Sequence, residues 1–317
     1  MSTTVQEGAA AGSAAPPVRG RSPGRIACER LRHDPAALFG LAIVVLFVLM
    51  ALAAPLLTRL NGWEPETFDK TAIDQALGGV PKGDFGGISA EHWLGVEPGN
   101  GRDVFSRIVY GARVSLLIAV ASTAVTVLAG TAVGLVAGYF GGKVDTVLSR
   151  IMDLVMSFPS LIFMLALLSI APDANRVLLL VLIMSMFSWP YVGRIVRGQT
   201  LSVKHREFVD AARVNGAMGP HILLKEILPN LAAPILVYTT LAIPANIGTE
   251  AALSFLGVGV RPPTPSWGQM IDNGLLWYQV VPTYFMIPGV CLFLTVLAFT
   301  LLGDALRDAL DPKGPGR

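Results

Sequence analysis

From Ala36 to Leu57 the chain runs for 22 residues without a charged side chain. A helix needs about 20 predominantly apolar residues to cross the hydrocarbon core of a bilayer. A secretory leader is the other reading of such a stretch, but its apolar region is usually about 7–15 residues, and no small-residue cleavage site follows cleanly here. Five further uncharged apolar stretches follow: Val114 to Phe140, Leu154 to Ala171, Val177 to Gly193, Leu231 to Thr249 and Tyr284 to Leu302. These predict an all-α integral membrane protein with six transmembrane helices. Composition agrees: 53% of the 317 residues are hydrophobic and 15% charged, against roughly 25% charged in a soluble domain.

The segments between the spans set the organisation. Residues 1–33 are rich in Ala, Gly, Pro and Ser, carry five arginines and have no apolar periodicity, so they read as a disordered basic tail. The first span occupies 34–57. Residues 58–113 form a polar loop with eight acidic and six basic side chains. A five-helix core over 114–303 encloses a polar loop at 194–230, and 304–317 forms a C-terminal tail. Lys and Arg concentrate in short loops on the cytoplasmic side of a membrane protein. The tail arginines and the six basic residues from Arg194 to Lys225 fall on one face, so both termini and the 194–230 loop are expected to be cytoplasmic, with 58–113 external.

Within the second span, Gly130, Gly134, Gly138 and Gly142 recur every four residues. That spacing predicts a stripe on which another backbone can approach closely. Pro159, Pro190 and Pro244 lie in or beside spans, where a missing amide donor can kink a helix.

The 194–230 loop holds Glu207, Asp210, Ala211, Ala212 and Gly216, then twelve residues to Pro229, which follows Leu228. A helix with a smooth Ala-Ala face, a Gly break and a second short helix is the physical expectation, giving a rigid exposed knob. The spacing resembles the EAA loop of bacterial ABC importer permeases: Glu-Ala-Ala, three residues, Gly, nine residues, Ile, any residue, Leu-Pro. Asp210 stands for the Glu, and Glu226 stands where Ile is expected.

More of the chain is similar to one branch of that superfamily, the C-type permeases of dipeptide, oligopeptide and nickel importers. The matching stretches are His92-Trp93-Leu94-Gly95, Gly101 to Arg107, Tyr110 to Leu116, Glu250 to Gly259 and Pro262 to Gly268. The resemblance covers most of residues 36 to 311 and implies a type I ABC importer permease fold in a bacterial cell membrane. It implies a homologous B-type permease that completes the path, two cytoplasmic ATPase subunits or domains that grip the EAA loops, and an extracytoplasmic binding protein that delivers short peptides. ATP and Mg would be bound by the ATPase partners. Nickel chelates or longer peptides are alternative cargoes, and a membrane receptor or anchor without transport is the alternative of a different class.

Glu250 is the one acidic residue between Leu231 and Val260. A carboxylate there should face the bundle interior or an aqueous cavity and have a partner. With Ser254 it is expected to line the path or outer gate; the other placement is a helix end at the external interface. Arg102, Asp103 and Arg107 border the second span on the external face, either as surface ion pairs or as contacts for gate loops or a binding protein. Pro263 and Trp267 belong to a stiff loop between the last two spans, which serves either as a structural connection or as a dock for a binding protein.

Several function classes are excluded as expectations. No nucleotide-binding P-loop occurs: around Gly142-Lys143, Ala137 stands at the first Gly position and Val144 at the hydroxyl position. Hydrolysis of ATP is therefore assigned to another chain. Four histidines, at 33, 92, 205 and 221, lack ligand spacing, so no metal site is expected, and no catalytic set is visible. A net charge of +2 without a basic stripe argues against nucleic acid. Cys28 and Cys291 suggest no disulfide framework.

Overall fold

The computed structural model describes residues 29–171 and 175–310. Most of the basic tail, Cys28 included, and the last seven residues lie outside the described residues. Residues 29–33 are helical, and Arg30 donates from Nη1 to the carbonyls of Asp308 (3.4 Å) and Ala309 (3.3 Å). The disordered tail expected over 1–33 is corrected over 29–33, where the chain is helical and Arg30 holds the last described turn of the final helix.

Helix α1 (Pro35–Leu52) starts on Asp34, whose carboxylate accepts from the amides of Ala36 and Ala37, with Pro35 at the first helical position. A short α2 (Ala54–Asn61) leads into the polar loop. That loop is folded: it holds a small antiparallel ladder of β1 (Ile73–Asp74) and β2 (Val80–Pro81), with Ile73 opposite Pro81. Helix α3 (Val104–Phe140) begins inside the segment read as loop, because Asp103 caps it by accepting from the amide of Ser106 at 2.7 Å. Its 37 residues span about 55 Å at 1.5 Å per residue, so its first turns stand in the folded loop and its last turns reach the opposite end.

The third span is corrected. The apolar run from Leu154 to Ala171 is not one helix but is broken between α4 (Gly142–Ser157) and α5 (Ser160–Ile170), which are bent by 80°. Pro159 has no amide to donate and pushes Phe158 into an extended conformation (φ −82°, ψ 139°). Neither half is long enough to cross alone, and only taken together does the pair have the length and apolarity of a span. Pro190 and Pro244, by contrast, lie inside continuous helices. The remaining elements are α6 (Arg176–Val203), α7 (Glu207–Val214), α8 (Gly219–Phe255, π-helical over Ile222–Ile227), α9 (Trp267–Leu275) and α10 (Pro282–Leu310). Among the described residues, five helices are long and apolar enough to span a membrane, and the bent pair makes six.

The most extensive helix contact joins α3 to α6, and glycine makes it possible. A Cβ on Gly130 would lie 2.7 Å from the Trp189 carbonyl oxygen, one on Gly134 2.5 Å from the Gly193 carbonyl oxygen, and one on Gly138 2.6 Å from Thr200 Cβ. The stripe has three members rather than four: Gly142 lies past the end of α3, with nothing within 4 Å of a Cβ. The folded loop, the start of α10 and α9 gather at one end of the bundle. The 204–230 connection and both described chain ends gather at the other.

Candidate functional site

At the end with the chain termini, α7 presents Glu207, Asp210 and Ala211 to the exterior and tucks Val209 beneath it. Acidic residues in its first turn and Arg213 in its last complement the helix dipole, and Asp210 pairs with Arg213 at 2.8 Å. The helix closes on Gly216 at φ +81°, where the amide of Gly216 bonds the Arg213 carbonyl and that of Ala217 bonds the Ala212 carbonyl, each at 3.0 Å. This is a Schellman closure, which glycine accepts without the penalty a Cβ brings. Ala212 is half-buried and packs with Ala217 over a core of Val209, Ile222, Ile227 and Leu231. Leu228 and Pro229 open the regular part of α8, Leu228 half-buried and Pro229 exposed.

The knob runs directly into α8 and is rooted on two further helices. Its core continues into Leu135 of α3 and Val192 and Val196 of α6. Lys204 donates to the Gly138 carbonyl at 2.8 Å, and Arg213 reaches the Lys204 carbonyl at 3.4 Å. Beside it, Arg197 pairs with Asp145 and Arg194 with Asp153, tying α6 to α4. The outer surface is apolar at its tip: Val214 is 88% and Met218 79% exposed. A rigid apolar tip carried by two long helices can transmit a push from outside into the bundle.

Toward the other end, near the close of α8, Glu250 is completely buried. Ser115 of α3 donates to its Oε2 at 3.0 Å, Ser254 one turn along α8 donates to its Oε1 at 2.8 Å, and the Ser266 hydroxyl is a third partner. Ser254 also accepts from the Val260 amide at 3.1 Å, and Ser115 from the Trp267 amide at 3.3 Å. Glu250 lies in the bundle interior with hydroxyl partners. It faces no open cavity, and with Ser254 it joins α8 to α3 and to the start of α9.

The folded loop corrects the other expected surface residues. Arg102, Asp103, Arg107 and Trp267 are buried, so they offer no docking surface. Asp103 accepts from Asn61 Nδ2 (2.9 Å), the Ser106 hydroxyl (2.7 Å) and the His92 ring (3.0 Å). Arg102 donates from Nε to Glu97 Oε2 at 2.6 Å, and Arg107 lies 3.4 Å from the same oxygen. Arg107 also donates to Gln269 Oε1 (2.9 Å) and to the carbonyls of Pro65 and Pro263. Trp267 donates from its indole to the Ile108 carbonyl at 3.1 Å and meets Phe47 edge-on. Pro263 alone of the five is exposed.

Glu97 is the hub of this end, and its neighbours in sequence do not single it out. Besides the two arginines it accepts from the Tyr284 hydroxyl at 2.7 Å and from Asn273 Nδ2 at 3.2 Å, so it links the loop to α3, α9 and α10. Burial alone would raise its pKa, but the Arg107 and Arg102 charges and the Tyr284 hydrogen bond outweigh that and hold the carboxyl below its ordinary range. The signal in the sequence is slight: an acidic residue five positions before Arg102.

Five helices of spanning length with a bent sixth pair, an exposed apolar knob at one end and a pinned polar cap at the other define a multi-pass helical membrane component. The pattern described as "Binding-protein-dependent transport system inner membrane component" matches residues 130–313, and "N-terminal TM domain of oligopeptide transport permease C" matches residues 22–76. The chain is 39% identical to the dipeptide transport system permease protein DppC of Alkalihalophilus pseudofirmus, over 92% of this chain and 90% of that one. It is 37% identical to the oligopeptide transport system permease protein OppC of Bacillus subtilis, over 90% and 88%. It is 42% identical to the glutathione transport system permease protein GsiD of Pectobacterium atrosepticum, over 72% and 74%. The fold is similar to a chain of the MetNI methionine ABC transporter in an inward-facing conformation, with a TM-score of 0.52 at 20% identity, covering 65% of this chain and 96% of that one. The chain belongs to the binding-protein-dependent transport system inner membrane components and is a multi-pass inner-membrane protein.

Proposed function

We propose that this chain is one of two permeases in an ATP-driven importer of short peptides, dipeptides first among them. The relatives named for dipeptide, oligopeptide and glutathione transport support that cargo class. The knob at 207–229 is the contact for a cytoplasmic ATPase, with Glu207, Asp210, Ala211, Ala212, Gly216, Leu228 and Pro229 as its elements. A second, homologous permease completes the path, two ATPase subunits supply hydrolysis, and an extracytoplasmic binding protein delivers cargo to the face that carries the folded loop. This orientation follows from the basic residues of the tail and of Arg194 to Lys225, which favour the cytoplasmic side.

The observation that carries the reading is the rooting of the knob. Its core is continuous with α3 and α6, and those two helices meet through glycines, so they move as one body. Closure of the ATPases pushes the tip and moves α3, α6 and α8 together, which changes the side to which the shared cavity opens. This chain does no covalent chemistry in the cycle; ATP and Mg belong to the ATPase partners. Glu250 and Ser254 hold the α8–α9 corner to the moving body, a positioning role at the gate.

Copurification tests the assignment. Tagged chain expressed with the products of its neighbouring genes should retain the ATPases. Competition among labelled dipeptides, longer peptides and nickel for uptake then separates the cargo classes. Absence of any ATPase from the purified assembly would leave the membrane-anchor reading in its place.

A further inference from the structure

The end that carries the knob also holds an open feature beside it. A cleft of about 720 Å³ opens between the end of α6, the start of α7, the first turns of α8 and the end of α10. On α8 its wall is one stripe, Asn230, Pro234, Val237, Tyr238 and Leu241, which extends about 16 Å along the helix at 1.5 Å per residue. The stripe is polar at the level of the loops and becomes apolar toward the middle of the span. At the loop level the cleft is flanked by Arg206, the residue before α7, and by Arg307 near the end of α10.

Both guanidinium groups lack a side-chain hydrogen bond or ion pair among the described residues. Glu207 beside Arg206, and Asp304 and Asp308 beside Arg307, do not line the cleft. Two arginines at the mouth of an apolar cleft, without a side-chain partner among the described residues, suit one kind of ligand. It carries a negative phosphate on an apolar chain: guanidinium groups grip phosphate oxygens in their fork, and basic pockets between membrane helices bind anionic headgroups.

We propose that this cleft binds one anionic phospholipid, its phosphate between Arg206 and Arg307 and an acyl chain along Pro234, Val237, Tyr238 and Leu241. Such a lipid bridges the base of the knob to α10.

The test is native mass spectrometry of the complete detergent-purified importer, titrated with phosphatidylglycerol or with phosphatidylcholine of the same chains. The expected result is selective retention of phosphatidylglycerol, weakened about fivefold by Arg307→Gln and largely kept by Arg307→Lys. Val237→Trp, which fills the apolar part and leaves both arginines, should lower retention as well, and it supplies the reading if Arg307→Gln fails to assemble. Retention unchanged in both Arg307→Gln and Val237→Trp would overturn the proposal. Equal displacement by inorganic phosphate would also do so, since a free anion would then be the ligand. So would cross-linking of Arg307→Cys to the second permease through the cleft, since protein would then fill it.

Discussion

The Tyr284 hydroxyl donates to the Glu97 carboxylate at 2.7 Å across 187 positions of sequence, so the first turn of α10 is pinned to the loop that precedes α3. The same carboxylate holds Arg102 and Arg107. The polar loop is therefore part of the bundle rather than a free lid.

Removing this hub should loosen the whole end. Breaking one partner of a buried ion pair costs about 3–5 kcal/mol, so Glu97→Ala should lower the midpoint of thermal unfolding in detergent. Glu97→Gln keeps the hydrogen bond from Tyr284 and should fall between Glu97→Ala and wild type. Because the folded carboxyl titrates below its unfolded value of 4.5, its contribution is complete above that pH and is lost as pH falls through the lower folded value. Wild type should lose more stability on acidification through that range than Glu97→Gln does.

The α3–α6 seam should reject side chains. Gly134→Leu would press on the Gly193 carbonyl and on Val196, and overpacking of this kind costs about 1–3 kcal/mol. Gly198→Ala in α6, where a Cβ meets nothing within 4 Å, serves as the control and should unfold at or above the wild-type temperature. An equal loss in both would mean that close approach is not what the stripe provides.

Glu250 separates packing from a path role. Glu250→Leu leaves the Ser115 and Ser254 hydroxyls without their acceptor, and unsatisfied buried polar groups cost about 1–3 kcal/mol each. Glu250→Gln retains an acceptor for one or both. The expectation is a large drop in thermal stability for the first variant and a small one for the second, with uptake following stability. Full stability with lost uptake in Glu250→Gln would return this residue to the translocation path.

Much of the architecture was legible because a bilayer imposes length and apolarity on each segment, so six runs were readable one at a time. The knob was legible for a similar reason: acidic residue, Ala-Ala, Gly216 and Leu228-Pro229 all lie within 23 positions, from Glu207 to Pro229. The break at Pro159 was not, because local apolarity does not report whether a proline bends a helix or is absorbed, and Pro190 and Pro244 were absorbed. Arg102 and Arg107 read as surface charges because their burial depends on Glu97, Tyr284 and Gln269, two of them more than 150 positions away. Asp103 was misread for the same reason, since Asn61 and His92 complete its shell from other parts of the loop. Spacing reveals partners on one helix; it does not reveal those that only folding brings together.

The central claim is that the 207–229 knob turns ATP hydrolysis into movement of the spans, and ATP-driven uptake of labelled dipeptide by proteoliposomes tests it most directly. Gly216 sits at φ +81° in the exposed turn, whereas proline is confined near −65°, so Gly216→Pro disrupts the knob while leaving the spans untouched. With the variant assembled at wild-type yield, the account predicts that uptake is abolished. Uptake at the wild-type rate would contradict it.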